Sequence, residues 1–241
     1  DTLYIMELSN IVLGVAVILV LYFLYGYFFG DSSTSSSPSS LLDAKSMQVV
    51  GANSLPANVS TNYGYSIWFY VDDWSYRLGE SKTIFDRTGK GRNSGSPLVA
   101  FDPSENNITI SLALASKGRE GASVSKCTIN NVPLQAWTNL IITLNNRALD
   151  VYINGKLVKT CLLDAPPAVE SGSGVRITPN GGFSGYTSRF QYYAMPLSPE
   201  QAYNIYKSGY GGSSGLGDIF NKYRVKVGFM ENNREVNSFE I

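Results

Sequence analysis

Histidine is absent from the 241 residues, and its absence limits the chemistry that the chain can perform. Without an imidazole there is no Ser-His-Asp or Cys-His nucleophile and no usual general base at neutral pH. The two cysteines, Cys127 and Cys161, are half of the four thiolates of a sulfur-only zinc site. They form either one disulfide or two buried thiols, and the sequence leaves both open. We nominate no catalytic residue.

Carboxylates in predicted loops are the remaining candidates for a metal site. Asp72 and Asp73 lie in one loop, and Asp102 and Glu105 lie in another. Their hard oxygen atoms suit calcium. Their spacing matches no known calcium loop, so solvated turn acids are the alternative. Calcium is therefore the only cofactor that we consider.

The loop DDWSYRLGE, residues 72–80, holds the best candidates for contact with a sugar. Trp74 and Tyr76 offer aromatic faces beside carboxylates, which is an arrangement that a saccharide can use. A Trp that contacts a partner protein, or one that packs on its own domain, is the alternative.

Charge and composition exclude one class of partner. The chain has 19 basic and 19 acidic residues, and no run of Lys or Arg forms a stripe that could neutralise a phosphate backbone. We therefore expect no nucleic-acid binding. The 16 Tyr and 11 Phe are typical of a β-sandwich core.

Short runs of alternating or β-branched residues, separated by Gly, Asn, Pro and Ser, follow from about residue 47 and predict an all-β fold. Eleven such runs imply a sandwich or jelly roll. They are MQVVG, YSIWFYV, KTIFDRT, PLVAFD, NITISLAL, SVSKCTI, WTNLIITLN, ALDVYING, KLVKTCL, GVRIT and SRFQYYAM.

Local signals predict two turns and one helix. Asn154-Gly155 predicts a type I′ hairpin turn, and Asn145-Asn146-Arg147 predicts another turn. Ser198 is an N-cap candidate, and Gly209 ends the helix that it begins. The apolar positions expected to share faces are Leu140, Ile142 and Leu144 on one strand, Val151 and Ile153 on the next, and Ala202, Ile205 and Tyr206 on the helix.

Several motifs in this order resemble the concanavalin A-like sandwich in its laminin-G and pentraxin variety. They are GYSIWFYV at 64–71, KTIFDRTGK at 82–90, the passage from Trp137 to Val158 that contains VYINGK, and the closing segment at 181–209. The resemblance implies a two-sheet antiparallel jelly roll. Relatives include calcium-binding proteins, lectins and hydrolases, but the Glu-x-Asp-x-x-Glu pattern of the hydrolases does not occur here, so we expect no enzyme.

The N-terminal residues 8–30 are uncharged and apolar over a length that predicts a transmembrane helix in a lipid bilayer. A buried core helix is the alternative. The Ser-rich residues that follow predict a flexible tether. Sequons at Asn58 and Asn107 matter if the domain is lumenal.

The C-terminal segment predicts a hairpin or docking strand after a Gly-rich linker. Its alternating Tyr223, Val225, Val227 and Phe229 are candidates for contact with a partner. Because an isolated hairpin is marginal in water, we expect the segment to dock either on a neighbouring chain or on its own sandwich.

Together these patterns predict a single-pass membrane protein that binds partner proteins through a sandwich and has no enzymatic activity. A minor capsid protein that joins the internal membrane of a virion to capsid proteins is one hypothesis within this interpretation. A membrane-anchored lectin-like or adhesion protein is the alternative. The predicted parts are an anchor at 1–30, a tether at 31–46, the sandwich at 47–208, a linker at 209–217 and the hairpin or docking strand at 218–241.

Overall fold

A computed structural model gives the fold of the chain. It describes residues 14–22, 34–36, 41–56, 61–87, 96–115, 123–168, 172–211, 226–231 and 234–240. The chain divides into two units, Asp1–Ser33 and Thr34–Ile241, and the second contains the strands.

Helix α1 covers residues 14–22 in the first unit, and its Val, Ile and Leu side chains are exposed. Within the ranges that the structure describes, no helix is long and apolar enough to cross a membrane. The rest of the predicted span at 8–30 lies outside those ranges. The membrane anchor therefore stays a prediction.

The strands of the sandwich alternate with short loops. In chain order they are β1 (Thr34–Ser36), β2 (Leu42–Asp43), β3 (Gln48–Val50), β4 (Tyr63–Asp73), β5 (Lys82–Asp86), β6 (Leu98–Phe101), β7 (Ile108–Ala113), β8 (Val124–Ile129), β9 (Thr138–Asn145), β10 (Ala148–Ile153), β11 (Lys156–Leu162), β12 (Val175–Ile177) and β13 (Ser184–Tyr193). Short 3₁₀ helices lie at Ala52–Ser54 and Pro179–Gly181. The eleven strands predicted from sequence are β3 to β13, and all of them are confirmed.

These strands form two antiparallel sheets that share one apolar core, so the predicted all-β sandwich is confirmed. Sheet A has the order β1-β13-β4-β9-β10-β11, and β2 also pairs with β13. Sheet B has the order β3-β12-β5-β6-β7-β8. The edge strands β11 and β8 lie on the same side of the sandwich, since a disulfide between Cys127 of β8 and Cys161 of β11 joins them.

The core forms as the alternation predicts. Leu140, Ile142 and Leu144 are buried in it, and Val151 is buried beside the half-buried Ile153. The turn between β10 and β11 has positive φ at Asn154 (50°) and Gly155 (72°), which is the type I′ geometry that Asn-Gly favours. Local sequence therefore fixes this hairpin.

Helix α2 (Pro199–Lys207) begins at Ser198 in a capping box with Gln201. It covers part of the outer face of sheet A, where Ala202 and Ile205 pack with Ile141 and Tyr152. Tyr206 stacks on Trp68 with ring centroids 5.7 Å apart. The predicted helix and its apolar face are confirmed.

Two segments at the ends of the second unit also form strands. Within the segment predicted to be a flexible tether, β1 and β2 pair with β13, because their backbone groups complete the edge of sheet A. Near the C-terminus, β14 (Lys226–Glu231) pairs with β15 (Arg234–Glu240) as a separate two-stranded sheet.

Candidate functional site

Residues 72–81, called here the Trp74 loop, lead from β4 of sheet A to β5 of sheet B. Asp72 and Asp73 were predicted to lie in a loop, but they are the last two residues of β4. Asp73 caps the turn that follows: its Oδ1 accepts hydrogen bonds from Ser75 N at 2.8 Å and Ser75 Oγ at 2.7 Å. These two bonds hold the pKa of Asp73 below its usual value. The carboxylate thus fixes its own loop.

Trp74 is half-buried and packs edge-on against Phe101, with centroids 5.6 Å apart. Its Nε1 donates to Ser104 O at 3.4 Å. The Nζ of Lys82 lies 4.5 Å from the centre of the Trp74 ring, and Lys82 is 1% exposed. Burial lowers the pKa of Lys82, and the charge of Arg77 lowers it further. Trp74 is therefore part of the packing and shields a buried cation.

Tyr76 also makes its contacts within the domain. Its hydroxyl donates to Gly181 O at 3.2 Å, and Lys45 Nζ lies 4.8 Å from its ring centre. Arg77 donates to Asn180 O and forms a salt bridge of 2.7 Å with Glu80. Both rings proposed for sugar contact thus serve the loop that carries them.

Of the four carboxylates proposed for calcium, those of Asp102 and Glu105 are also engaged, like that of Asp73. Asp102 Oδ1 accepts from Ser104 N at 3.1 Å and from the Glu105 backbone N at 3.3 Å. In the part of the chain that the structure describes, which includes Asp72, Asp73, Asp102 and Glu105, no three His, Cys, Asp or Glu residues form a group that could hold a metal. The described residues therefore do not support the predicted calcium site, which stays a prediction.

Glu105 instead begins a chain of hydrogen bonds. Its Oε2 accepts from Asn107 Nδ2 at 2.6 Å, and Asn107 Oδ1 accepts from Asn131 N at 3.1 Å. Next to it, Asn106 Nδ2 donates to Val132 O at 2.9 Å. These bonds fix the backbone of residues 130–133, called here the cleft loop.

The cleft loop forms one wall of a cleft of about 310 Å³ between strand β8 and the β10–β11 hairpin. None of the candidate site residues predicted from the sequence lines this cleft. The lining residues are Thr128, Ile129, Asn130, Asn131, Val132, Pro133, Ile153, Val158 and Lys159.

A β-bulge shapes the opposite wall. Val151 pairs with Lys159 and Tyr152 pairs with Leu157, so Val158 is the extra residue. In a regular strand, consecutive side chains point to opposite faces, whereas here Val158 and Lys159 both line the cleft. Lys159 Nζ also donates to Thr128 O at 2.8 Å, which joins the two walls.

The disulfide holds the frame of this cleft. Cys127 immediately precedes Thr128, and Cys161 lies two residues after Lys159, so the bridge ties both walls close to their lining residues. Of the two alternatives left open by the sequence, the structure shows the disulfide. The distance between the walls is therefore set covalently.

The sequon asparagines differ in what the structure describes. The Asn107 side chain is hydrogen-bonded at both its oxygen and its nitrogen, as described above, and this geometry leaves the Nδ2 atom engaged with Glu105. Asn58 lies outside the described residues.

The C-terminal residues proposed to contact a partner are described only in part. Val227 and Phe229 are in β14, opposite Phe239 and Asn237. Tyr223 and Val225 lie outside the described residues. Their proposed role in contacting a partner stays a prediction.

A second exposed feature lies on the outer face of sheet A and is called here the aromatic strip: Tyr70, Trp137, Tyr186 and Tyr210. Trp137 stacks on Tyr210 with centroids 4.3 Å apart and an angle of 8° between the rings, and Tyr70 lies 5.7 Å from Trp137. Tyr186 is paired opposite Tyr70. Tyr186 and Tyr210 are 42% and 43% exposed.

A family model, Laminin_G_3 of the concanavalin A-like lectin/glucanases superfamily, matches residues 44–202, which is well over half of the chain. The chain belongs to this family. Its laminin-G domain contains the Trp74 loop, the cleft and most of the aromatic strip. No curated protein matches the sequence.

Solved structures similar to the laminin-G domain include binding domains of botulinum neurotoxins. That of serotype D/C has a TM-score of 0.53 and 18% identity, over 70% of this chain and 43% of the toxin chain. That of serotype G has a TM-score of 0.52 and 13% identity, over 70% and 46%. A structure of the type C toxin, whose cell entry depends on interaction with two ganglioside molecules, has a TM-score of 0.50 and 17% identity, over 67% and 39%. The chain thus spans less than half the length of each toxin chain, and at these identities the likeness concerns the fold.

Proposed function

We propose that the chain is a membrane-attached, lectin-like binding protein whose laminin-G domain takes a saccharide in the cleft. The observation that carries the proposal is the cleft itself, with walls fixed by a disulfide, a bulge and the hydrogen bonds of Asn106 and Asn107. A site fixed before the ligand arrives loses less entropy on binding.

The lining residues suit a polar ligand with hydroxyl groups. Asn130 and Asn131 present amide groups that can donate and accept hydrogen bonds, whereas the Thr128 hydroxyl is already hydrogen-bonded to Thr109 Oγ1 at 3.0 Å. Pro133 and Val158 add apolar surface for the C–H groups of a sugar ring. A small number of fixed polar groups among apolar ones is typical of ligand sites.

Hydrolysis of the ligand is not supported by the cleft. Glycosidases need two carboxylates on either side of the scissile bond, and the nine lining residues include none. Laminin-G and concanavalin A-like domains, like toxin receptor-binding domains, are typically non-enzymatic binding folds. Binding without turnover is therefore the proposal.

The disulfide supports a location for the domain. Disulfides persist in oxidising compartments, so a bridged Cys127–Cys161 supports a lumenal or outward-facing domain. The apolar residues 8–30 would hold it at a membrane. Membrane fractionation tests the anchor, and an electrophoretic shift of the full chain on reduction tests the bridge.

A glycan array tests the binding proposal. Residues 34–241 are applied with and without calcium, and we expect specific glycan binding that does not need the ion. Val158→Trp fills the cleft and should abolish binding. Leu157→Trp is the matched control, since Leu157 is similarly exposed (52% against 47%) but is not among the lining residues. Absence of binding to any glycan contradicts the proposal.

Binding of a partner protein is a second candidate, and the aromatic strip favours it. Tyr and Trp are enriched at protein interfaces, and in this strip Tyr186 and Tyr210 are exposed while Tyr70 and Trp137 are half-buried. Tyr186→Ala and Tyr210→Ala should reduce the amount of partner protein that is captured by cross-linking. Tyr203→Ala on helix α2 is the control. The capsid hypothesis stays a prediction, because the similar structures reported above are toxin binding domains.

A further inference from the structure

We propose that the cleft selects acidic saccharides, those that carry a carboxylate or a sulfate group, and that Lys159 is the residue that binds the anion. The inference rests on the proposed function, because it names the class of ligand for the same cleft. The carrying observation is the charge of the lining: of nine lining residues, Lys159 is charged and the other eight are neutral.

The ammonium group of Lys159 is held in place by one hydrogen bond and can donate others. It donates one hydrogen bond to Thr128 O at 2.8 Å. A lysine ammonium has three N–H donors, so two remain for a ligand. Because the bond to Thr128 crosses the cleft, the charge stays between the two walls.

The carboxylates that the structure describes between residues 41 and 211 form no ion pair with Lys159. Glu105, behind the cleft loop, is bonded to Asn107 Nδ2, and Asp150, on the neighbouring strand, is bonded to Thr160 Oγ1. An anionic ligand is therefore the partner that the cleft lacks.

The neighbouring polar groups suit the rest of such a ligand. The side-chain amides of Asn130 and Asn131 make no hydrogen bond among the described residues, whereas the Asn131 backbone is fixed by Asn107. The acidic group would bind Lys159, and sugar hydroxyls would bind the two amides. Charge-assisted bonds to a carboxylate or sulfate are stronger than neutral bonds, so the acidic group should dominate selection.

The test compares acidic glycans with their neutral counterparts on the full chain in detergent. The three pairs are sialyllactose and lactose, trigalacturonate and its methyl ester, and 3′-sulfated lactose and lactose. The acidic group is a carboxylate in the first two pairs and a sulfate in the third, so they separate the two sources of the anion. We expect at least one acidic glycan to bind about tenfold to a hundredfold more tightly than its counterpart. Added salt should weaken the binding of the acidic glycan more than the binding of the neutral one.

Two variants test the role of Lys159. Lys159→Met keeps most of the side-chain stem and removes the charge, and it should remove the preference for the acidic glycan while binding of the neutral one persists. Lys159→Arg keeps the charge and should keep the preference. Lys156→Met is the matched control, since Lys156 is exposed on the same strand but does not line the cleft.

The outcomes separate the inference from the function on which it rests. Equal binding of acidic and neutral glycans, or a preference that survives in Lys159→Met, overturns the inference and leaves the proposed lectin function standing. No binding of any glycan by the wild-type chain overturns both. A preference lost in Lys159→Met and kept in Lys156→Met supports the inference.

Discussion

The Trp74 loop and the cleft loop both join the two sheets, and the two loops are held in different ways. The Trp74 loop is held by its own side chains, because Asp73, Trp74 and Tyr76 each bond or pack within the fold. The cleft loop is held through its backbone by Asn106 and Asn107 of the β6–β7 connection.

This difference decides which loop can bind a ligand. A side chain that caps a turn or shields a buried cation is already engaged, and a ligand would have to replace those bonds at a cost. The cleft loop receives its support from outside, so Asn130 and Asn131 keep their amides available. Residue type shows what a side chain can do, and its existing partners show whether it is free to do it.

The largest expected effect is on the Trp74 loop. Trp74→Ala removes packing against Phe101 and the cover over Lys82, so we expect the free energy of unfolding to fall by about 3 kcal/mol. Urea denaturation measures it. Trp74→Phe keeps an aromatic ring, so its free energy of unfolding should fall by less. A fully stable Trp74→Ala variant would show that the loop is not held by this side chain.

Asn107→Ala tests the support of the cleft loop. It removes the bonds to Glu105 and to Asn131 N, which should lower the free energy of unfolding by about 1 to 2 kcal/mol. Glycan affinity should fall as well, because the cleft wall loses its position. Unchanged affinity in a variant that folds would mean that Asn131 does not need this support. Asn62→Ala is a control for a backbone-capping Asn in another loop, since Asn62 Oδ1 accepts from Asn146 N.

The pH dependence of stability tests the burial of Lys82 by the Trp74 loop. Burial places the folded-state pKa of Lys82 below its ordinary value of 10.5, so the unfolded state binds more protons between these two values. Stability of the wild type relative to Lys82→Met should therefore rise as pH increases through this window. Urea denaturation from pH 8 to 10.5 measures it. A flat difference would contradict the burial of this charge.

Asn130→Ala should separate binding from stability. Its side chain is exposed and makes no hydrogen bond in the described residues, so the free energy of unfolding should change by no more than about 0.5 kcal/mol. Glycan affinity should nevertheless fall. A loss of stability comparable to that of Asn107→Ala would show that both loops depend on their own side chains.

The smallest expected effect is that of calcium. The carboxylates of Asp72, Asp73, Asp102 and Glu105 do not form a metal-binding group, so the melting temperature should be the same in calcium and in a chelator. Differential scanning calorimetry checks this. A rise in melting temperature in calcium would contradict this expectation and would support a calcium site that includes the Trp74 loop.

The fold was predictable because its signals are local. The alternation of Leu140, Ile142 and Leu144 predicts the core face of β9, and Asn154-Gly155 predicts the tight turn after β10. Ser198 predicts the start of α2 for the same reason, since a cap acts within one turn.

The candidate site was not predictable in this way. Asn130 and Asn131 resemble ordinary loop residues, and the sequence KLVKTCL contains no signal that predicts a bulge at Val158. The useful signal was the Asn-Asn-Val-Pro break between two strong strands, which predicts a loop but gives no indication of what faces it. Acidic and aromatic residues drew attention to the Trp74 loop instead.

The sequence by itself determined the strands, their core-facing sides, the hairpin turn, the cap of α2 and the exclusion of histidine chemistry. Each of these depends on residues close together in the chain or on composition. Only the tertiary structure decided that Cys127 and Cys161 are bonded, that Trp74 is engaged and that Lys159 and Asn130 line one cleft. Those facts depend on which distant strands and loops become neighbours, and that is set by the packing of the two sheets on one core.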